Sequence, residues 1–221
     1  MAAFLKYARR FPRPMAMPLD APMISPQVDG FCLQSQRLIL RPWRTEDLAA
    51  FLPIVQDPQV MRLIGSGQIW DPDTAAAFIA RQIDFQNRFG FCLWALESLE
   101  ERTLIGFCGG RPSDAALAAL NSDAASGQVV PSPASLPEVE IGWRLAQPYW
   151  GKGIATEAAT LAVDYLFNTV RVPRLIAITR AENERSIRVM QKLGMHFEST
   201  RLRDGHSIVQ YALAATDRRI G

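Results

Sequence analysis

The chain is poor in the residues that staple or metallate a fold. Its three cysteines, Cys32, Cys92 and Cys108, are odd in number and form no CxxC pair. Cys92 sits between Phe91 and Leu93, so a disulfide framework is not expected. The two histidines, His196 and His206, show no metal-ligand spacing with the cysteines, which argues against a zinc site or any other metal. Excess charge is scarce too. Lys plus Arg number 24 against 22 Asp plus Glu, a net +2, and the pI of 8.6 lies below the values above about 9 usual for phosphate-tracking domains. A dedicated nucleic-acid partner is therefore not expected. Long apolar runs are also missing: stretches such as Ile154 to Leu166 are broken by Thr156, Glu157 and Asp164, short of the roughly 18 uninterrupted residues of a membrane span. These absences point to a soluble, cytoplasmic protein without membrane association.

What is present fits a globular chain. The 221 residues are 48% apolar, near the usual 45 to 50% or so, and long enough for one domain with additional segments. Prolines cluster in two windows. Five fall at positions 12, 14, 18, 22 and 26, and four more at 112, 131, 133 and 137. The first window reads as an irregular arm over 1–30. Its basic start, with Lys6, Arg9, Arg10 and Arg13, is followed by no apolar core of a signal, so an untargeted extension is expected. The second reads as a Pro/Ala/Ser-rich insertion over 111–137, with a short helix at Asp114 to Leu120. A single domain over 31–215 and a tail over 216–221 complete the expected organisation.

Between the windows the periodicity alternates between 2 and 3.6. A strand is expected at Arg37 to Arg41. Thr45 is a plausible N-cap for a helix through Leu48 and Phe51, a second helical stretch lies near Asp57 to Leu63, and Asp73 is read as capping a longer helix that ends at Gly90. Phe91–Glu97 and Thr103–Cys108 form a hairpin. Along Glu138 to Leu145, Val139, Ile141, Trp143 and Leu145 face one way; Glu138, Glu140, Gly142 and Arg144 face the other. A helix at 154–168, a strand at 175–179, a helix at 183–193 and two last strands, at 197–203 and 207–212, complete an α+β order with one parallel crossover.

The most informative segment runs from Gln147 to Glu157, Gln-Pro-Tyr-Trp-Gly-Lys-Gly-Ile-Ala-Thr-Glu, and joins a strand directly to a helix. A loop entering a helix N-terminus aims several N–H groups at one point, and side chains missing at Gly151 and Gly153 let an anion approach them. The helix dipole adds to the field. The segment is neither a GxxxxGK[ST] loop nor a complete GxGxxG; alone, it is equally an ordinary glycine turn.

Three blocks in order extend it: Glu140-Ile141-Gly142-Trp143, then Trp150-Gly151-Lys152-Gly153-Ile154-Ala155-Thr156-Glu157-Ala158, then Asn183-Glu184-Arg185-Ser186 leading to Lys192-Leu193-Gly194. In these the sequence resembles the GNAT N-acyltransferases, in particular the branch of ribosomal-protein N-terminal acetyltransferases. Gly153 and Ala155 fill the last two places of the family's Gln/Arg-x-x-Gly-x-Gly/Ala motif, and Trp150 takes the first. The resemblance implies a mixed, mainly antiparallel sheet of six to seven strands, flanked by helices and splayed at the strand that binds acetyl-CoA. It implies that acetyl-CoA is held by Leu145, Ala146, Trp150, Gly151, Lys152, Gly153, Ile154, Ala155, Thr156, Asn183 and Ser186. Rough strand geometry agrees, since six steps from Glu140 to Ala146 at about 3.3 Å give roughly 20 Å, comparable with an extended pantetheine arm.

Acetyl transfer to an amine needs a base, oxyanion stabilisation and protonation of the leaving thiolate. The resemblance implies Glu140 as the base, direct or through a water, with Glu138 the less favoured carboxylate. It implies a backbone N–H near Trp143 to Leu145 for the oxyanion, and Ser186 for the thiolate. Asn183 and Ser186 also read simply as the N-cap and first turn of a helix, and Arg185, Arg188 and Lys192 as its solvated face. The acceptor is an amine of a protein N-terminus or small molecule, served by a monomer or homodimer. A second reading is an acyl-CoA-binding sensor or partner-binding module with little turnover. Trp43, Trp70 and Trp94 are expected to pack in the core.

Overall fold

A computed structural model describes residues 31–118 and 136–217. The expected arm, most of the insertion and the end of the tail lie outside the described residues. Eight strands form one sheet: β1 (Leu33–Gln34), β2 (Leu38–Arg41), β3 (Leu93–Ser98), β4 (Thr103–Pro112), β5 (Val139–Leu145), β6 (Arg174–Arg180), β7 (His196–Arg203) and β8 (His206–Ala214). Their spatial order is β1-β2-β3-β4-β5-β6-β8-β7. Only β5 and β6 pair in parallel; the rest is antiparallel, as the sequence leads one to expect, with the two-residue β1 as the additional edge strand.

The helices are α1 (Leu48–Val55), α2 (Pro58–Met61), α3 (Pro72–Phe89), α4 (Ile154–Tyr165) and α5 (Glu184–Lys192). The structure shifts three sequence boundaries. Asp71, not Asp73, caps α3: its carboxylate accepts the Thr74 N–H at 2.7 Å, because Pro72 takes the first helical position, where a missing N–H costs nothing. Thr45 opens a 3₁₀ turn, Thr45–Asp47, ahead of α1 rather than capping it. β4 runs on to Pro112, four residues beyond the expected end, because Gly109 and Gly110 are sites of close packing within it. A Cβ at Gly109 would lie 2.1 Å from the Cys92 carbonyl oxygen, so only glycine lets β3 and β4 approach there.

The sheet has one helical layer on each face. Ala158, Ala159 and Ala162 of α4 are fully buried, and their small side chains let α4 pack closely on β4 and β5. On the other face α1 and α3 meet the sheet through an aromatic cluster. Phe78 lies 5.4 Å from Phe51 and 5.1 Å from Phe107, ring to ring, and each such pair adds about 0.5–1.5 kcal/mol beyond its buried area. Trp43 and Trp94 are core residues, with indole N–H groups donating to the Leu93 carbonyl and to Gln86 Oε1. Arg41 ties β2 to the α1 entry and to β3, donating to Asp47 at 2.7 Å and to Glu97 at 2.6 Å.

The cysteines carry the first testable consequence. Cys92, just before β3, and Cys108, in β4, are completely buried, and burial pushes both thiols well above their ordinary range; Cys32 is exposed. A thiol-specific chromogenic reagent should titrate one thiol in the native protein and three in denaturant. A second fast native thiol would contradict this burial and reopen a covalent cysteine route.

Candidate active site

The site begins where the sheet opens. β5 pairs with β6 only at Val139↔Leu175 and Glu140↔Ile176, whereas it pairs with β4 along its whole length, from Gly106↔Leu145 to Pro112↔Val139. From residue 141 onward the β6-side edge of β5 therefore has no sheet partner, leaving a row of backbone groups for a ligand to meet. The last strand, β8, pairs with the full length of β6, so the opening lies inside the sheet rather than at its rim.

The chain then turns from β5 into α4 through Gly151 (φ +74°) and Gly153 (φ +77°). Both are left-handed, a conformation that side chains disfavour by about 1–2 kcal/mol. Gly153 is the N-cap of α4 and offers no side-chain cap, so the first N–H groups of the helix are left for another acceptor. The loop is clamped from below: Arg37 donates through Nε to Glu157 at 2.8 Å and through Nη1 to the Lys152 carbonyl at 3.2 Å. Burial works against the Glu157 carboxylate, but the Arg37 and Ser35 donors outweigh it and hold its pKa below the ordinary value.

Trp150 does not face the loop as a phosphate ligand would. Its indole N–H donates to the Leu145 carbonyl at 2.9 Å, and the Arg185 guanidinium lies 4.8 Å from its ring. Arg185 thus stands over the cradle, anchored by the residue that replaces the motif's usual Gln or Arg. Asn183 caps α5, its Oδ1 accepting the Ser186 N–H at 3.3 Å while its Nδ2 donates to Thr179 at 3.0 Å. This is the capping role that the residue type alone suggests. Arg188 donates to Glu184 at 2.8 Å, the expected i,i+4 pair.

These elements enclose a cleft of about 790 Å³. Of the residues expected to hold acetyl-CoA, Leu145, Trp150, Gly151, Gly153, Ile154, Ala155, Thr156, Asn183 and Ser186 line it; Ala146 and Lys152 do not. The Ala146 N–H is spent on the Ile105 carbonyl, and the Lys152 ammonium lies 5.7 Å from the Tyr149 ring. Arg185, Arg188 and Lys192, read from sequence as a solvated face, line the cleft as well. Their shared helix face is the signal that identifies them once α5 is placed.

A second cavity, of about 710 Å³, lies on the α1/α3 face and meets the first at Trp143, Arg144, Asn183 and Ser186. Glu140 lines it. Arg111, its cross-strand neighbour in β4, donates to Glu140 Oε2 at 2.6 Å. Burial dominates and raises the Glu140 pKa above the usual carboxylate value, Arg111 opposing the rise and Asp114 adding to it. Two residues along the same face, Gly142 pairs with Gly109, and the Leu93 side chain lies against Gly142. Two further, Arg144 pairs with Phe107 and stacks between it and Trp70, at 5.1 and 4.4 Å. Trp70 packs against the core through Phe51 and Phe78, as expected, and its partly exposed side also lines this cavity. Glu138, the alternative carboxylate, lies 3.5 Å from Arg174 and lines neither cavity.

An open strand edge thus leads to the helix-end loop, and a second cavity lined by the part-buried Glu140 meets the first cleft beside it. Residues 37–196 match the family model described as Acetyltransferase (GNAT) domain, and the chain belongs to that family of acyltransferases. It is 28% identical over 166 residues to an uncharacterized N-acetyltransferase, YnaD, of Bacillus subtilis, covering 75% of this chain and 83% of that protein. A shorter match, 43% identical over 54 residues, covers 24% of this chain and 29% of the spermidine N(1)-acetyltransferase of Escherichia coli. Among solved structures, the ribosomal L7/L12 alpha-N-protein acetyltransferase RimL in complex with coenzyme A superposes with a TM-score of 0.65 at 14% identity, covering 85% of this chain and 100% of that one. At that identity the likeness is one of fold. Among the described residues no group of His, Cys, Asp and Glu could hold a metal, and no helix is long and apolar enough to cross a membrane.

Proposed function

We propose that this protein is a cytoplasmic N-acetyltransferase that moves the acetyl group of acetyl-CoA directly to a primary amine. The observation that carries this reading is the opening between β5 and β6, which ends at the left-handed Gly151 and Gly153. The first N–H groups of α4 receive the pyrophosphate, and Arg185, Arg188 and Lys192 supply the positive rim. The unpaired edge of β5 beyond Glu140 receives the pantetheine amides, which places the thioester where the two cavities meet.

The amine enters from the second cavity. Glu140 takes its proton, directly or through one water, as the nitrogen attacks the carbonyl carbon; a backbone N–H of the stretch from Trp143 to Leu145 meets the oxyanion. As the C–S bond breaks, the Ser186 hydroxyl donates to the thiolate. Asn183 positions Ser186 through the cap it forms, and its own contact with the pantetheine is secondary.

A pH profile tests the role of Glu140. Only the ionised carboxylate accepts a proton, so kcat/KM falls as pH drops through its pKa. Because burial raises that pKa, the acid limb should lie above the ordinary Glu value of 4.5 and should vanish in Glu140→Gln. An acid limb unchanged in Glu140→Gln would assign the base elsewhere.

A further inference from the structure

The second cavity holds a charge arrangement that proton abstraction does not use. Arg144 is 7% exposed, yet its Nε and Nη1 meet no hydrogen-bond partner among the described residues, and it forms no ion pair among them. Its plane is fixed by the stacking between Trp70 and Phe107, so the guanidinium has aromatic faces and bare edges. Arg180, on the strand that diverges from β5, is equally buried and its Nε is equally bare. Its other nitrogens donate to the Gly65 carbonyl at 2.6 Å and reach the mostly exposed Glu182 at 3.5 Å. Both arginines line the cavity. A buried cation without a hydrogen-bonded counter-charge is unfavourable, and proteins rarely keep one that nothing occupies. Burial accordingly lowers the Arg144 pKa to about 9, which is the strain an incoming anion would relieve.

The rest of the lining has the same sign. Five arginines face three carboxylates around the cavity. Arg111 pairs with Glu140 and Asp114, and Arg203 approaches Asp114 and Asp204; Arg81, Arg144 and Arg180 are left without a carboxylate of the cavity. A polyamine would meet this surplus as repulsion. Gly142 stands between Glu140 and Arg144 on this side of β5, with the Leu93 side chain against it; the two charged residues are four strand residues, or about 13 Å between Cα atoms, apart. A molecule with an amine at one end and an anion at the other suits such a separation, and about 710 Å³ is the size of a small-molecule pocket.

Resting on the acetyl-transfer reading, we propose that the acceptor is a small amino acid-like molecule whose carboxylate docks on Arg144, with Arg180 beside it, while its amine lies at Glu140. Such recognition discriminates strongly, because an acceptor without the anion leaves the arginine buried and bare.

The test compares matched acceptors with acetyl-CoA at saturation, reading CoA thiol release: α- and ω-amino acids against their carboxamides, the corresponding aminophosphonates, and spermidine. Binding of acetyl-CoA alone is measured by calorimetry. The expected result is a kcat/KM at least about tenfold higher for the carboxylate than for the carboxamide of its preferred pair, with phosphonates weaker than carboxylates. In Arg144→Met that preference should fall to near unity through acceptor KM, acetyl-CoA affinity being measured in parallel because Arg144 also borders the donor cleft. The wild-type comparison stands even where the variant folds poorly. Acetyl-CoA binding with equal use of acid and amide, with spermidine or a phosphonate preferred, or with no amino acid accepted, would overturn the carboxylate site alone. Failure to bind acetyl-CoA would overturn the acetyl-transfer reading beneath it.

Discussion

Replacing Glu140 with Gln should lower kcat by about 10²- to 10³-fold, within the range for loss of a positioned general base, while the affinity for acetyl-CoA stays within about twofold. The asymmetry follows from position. Glu140 lines the second cavity and not the donor cleft, so its charge acts on the acceptor. The substitution is close to isosteric, and the carboxamide oxygen can still accept from Arg111. What it removes is the proton acceptor. A direct assay of turnover at saturating acetyl-CoA, with calorimetry of the donor alone, separates the two effects. A parallel loss of donor affinity would mean that Glu140 supports the cleft structurally, and unchanged turnover would remove it from the mechanism.

The second large effect belongs to the cradle. Gly153→Val should raise the dissociation constant for acetyl-CoA by more than about tenfold, and should cost about 1–2 kcal/mol of stability, because a β-branched residue is forced to φ near +77°. Space is not the limit. The nearest atom to an added Cβ is Arg37 Nη2 at 3.8 Å, so the chain can accommodate the side chain and the loss comes from strain and from a wall placed before the helix-end N–H groups. Gly90 provides the control. It is also left-handed, ends α3, and has open space around it; Gly90→Val should incur a similar stability cost with donor affinity intact. Equal donor affinity in both variants would show that the loop after β5 is not where the phosphates bind.

Local signals carried the backbone of this account. The glycine loop between a strand and a helix, the alternation that turns Glu140 away from Val139 and Ile141, and Asn183 at the start of α5 can each be read from a few neighbouring residues. The arrangement of the second cavity could not be read that way. Arg144 shows in the sequence only as a residue on the Glu140 side of a strand; its burial depends on Trp70 and Phe107, which come from distant segments. The Arg111 to Glu140 pair is not legible locally, because it depends on β4 continuing beyond Cys108, where Gly109 allows the close approach to Cys92 and Arg111 comes opposite Glu140. Likewise Trp150, at the first place of the motif, spends its indole N–H on Leu145 and holds Arg185 at the cleft with its ring. Long-range pairing placed each of these, and no local periodicity encodes it.

The central claim is that the two cavities meet so that a thioester in one is attacked by an amine from the other. Incubating the full chain with acetyl-CoA and a broad panel of amines, and reading the products by mass, tests it most directly. The account predicts at least one amine gaining a single acetyl group, with equimolar release of CoA and with the product lost in Glu140→Gln. Tight acetyl-CoA binding with no acetylated amine anywhere in the panel would contradict it and leave a donor-binding module in place of an enzyme.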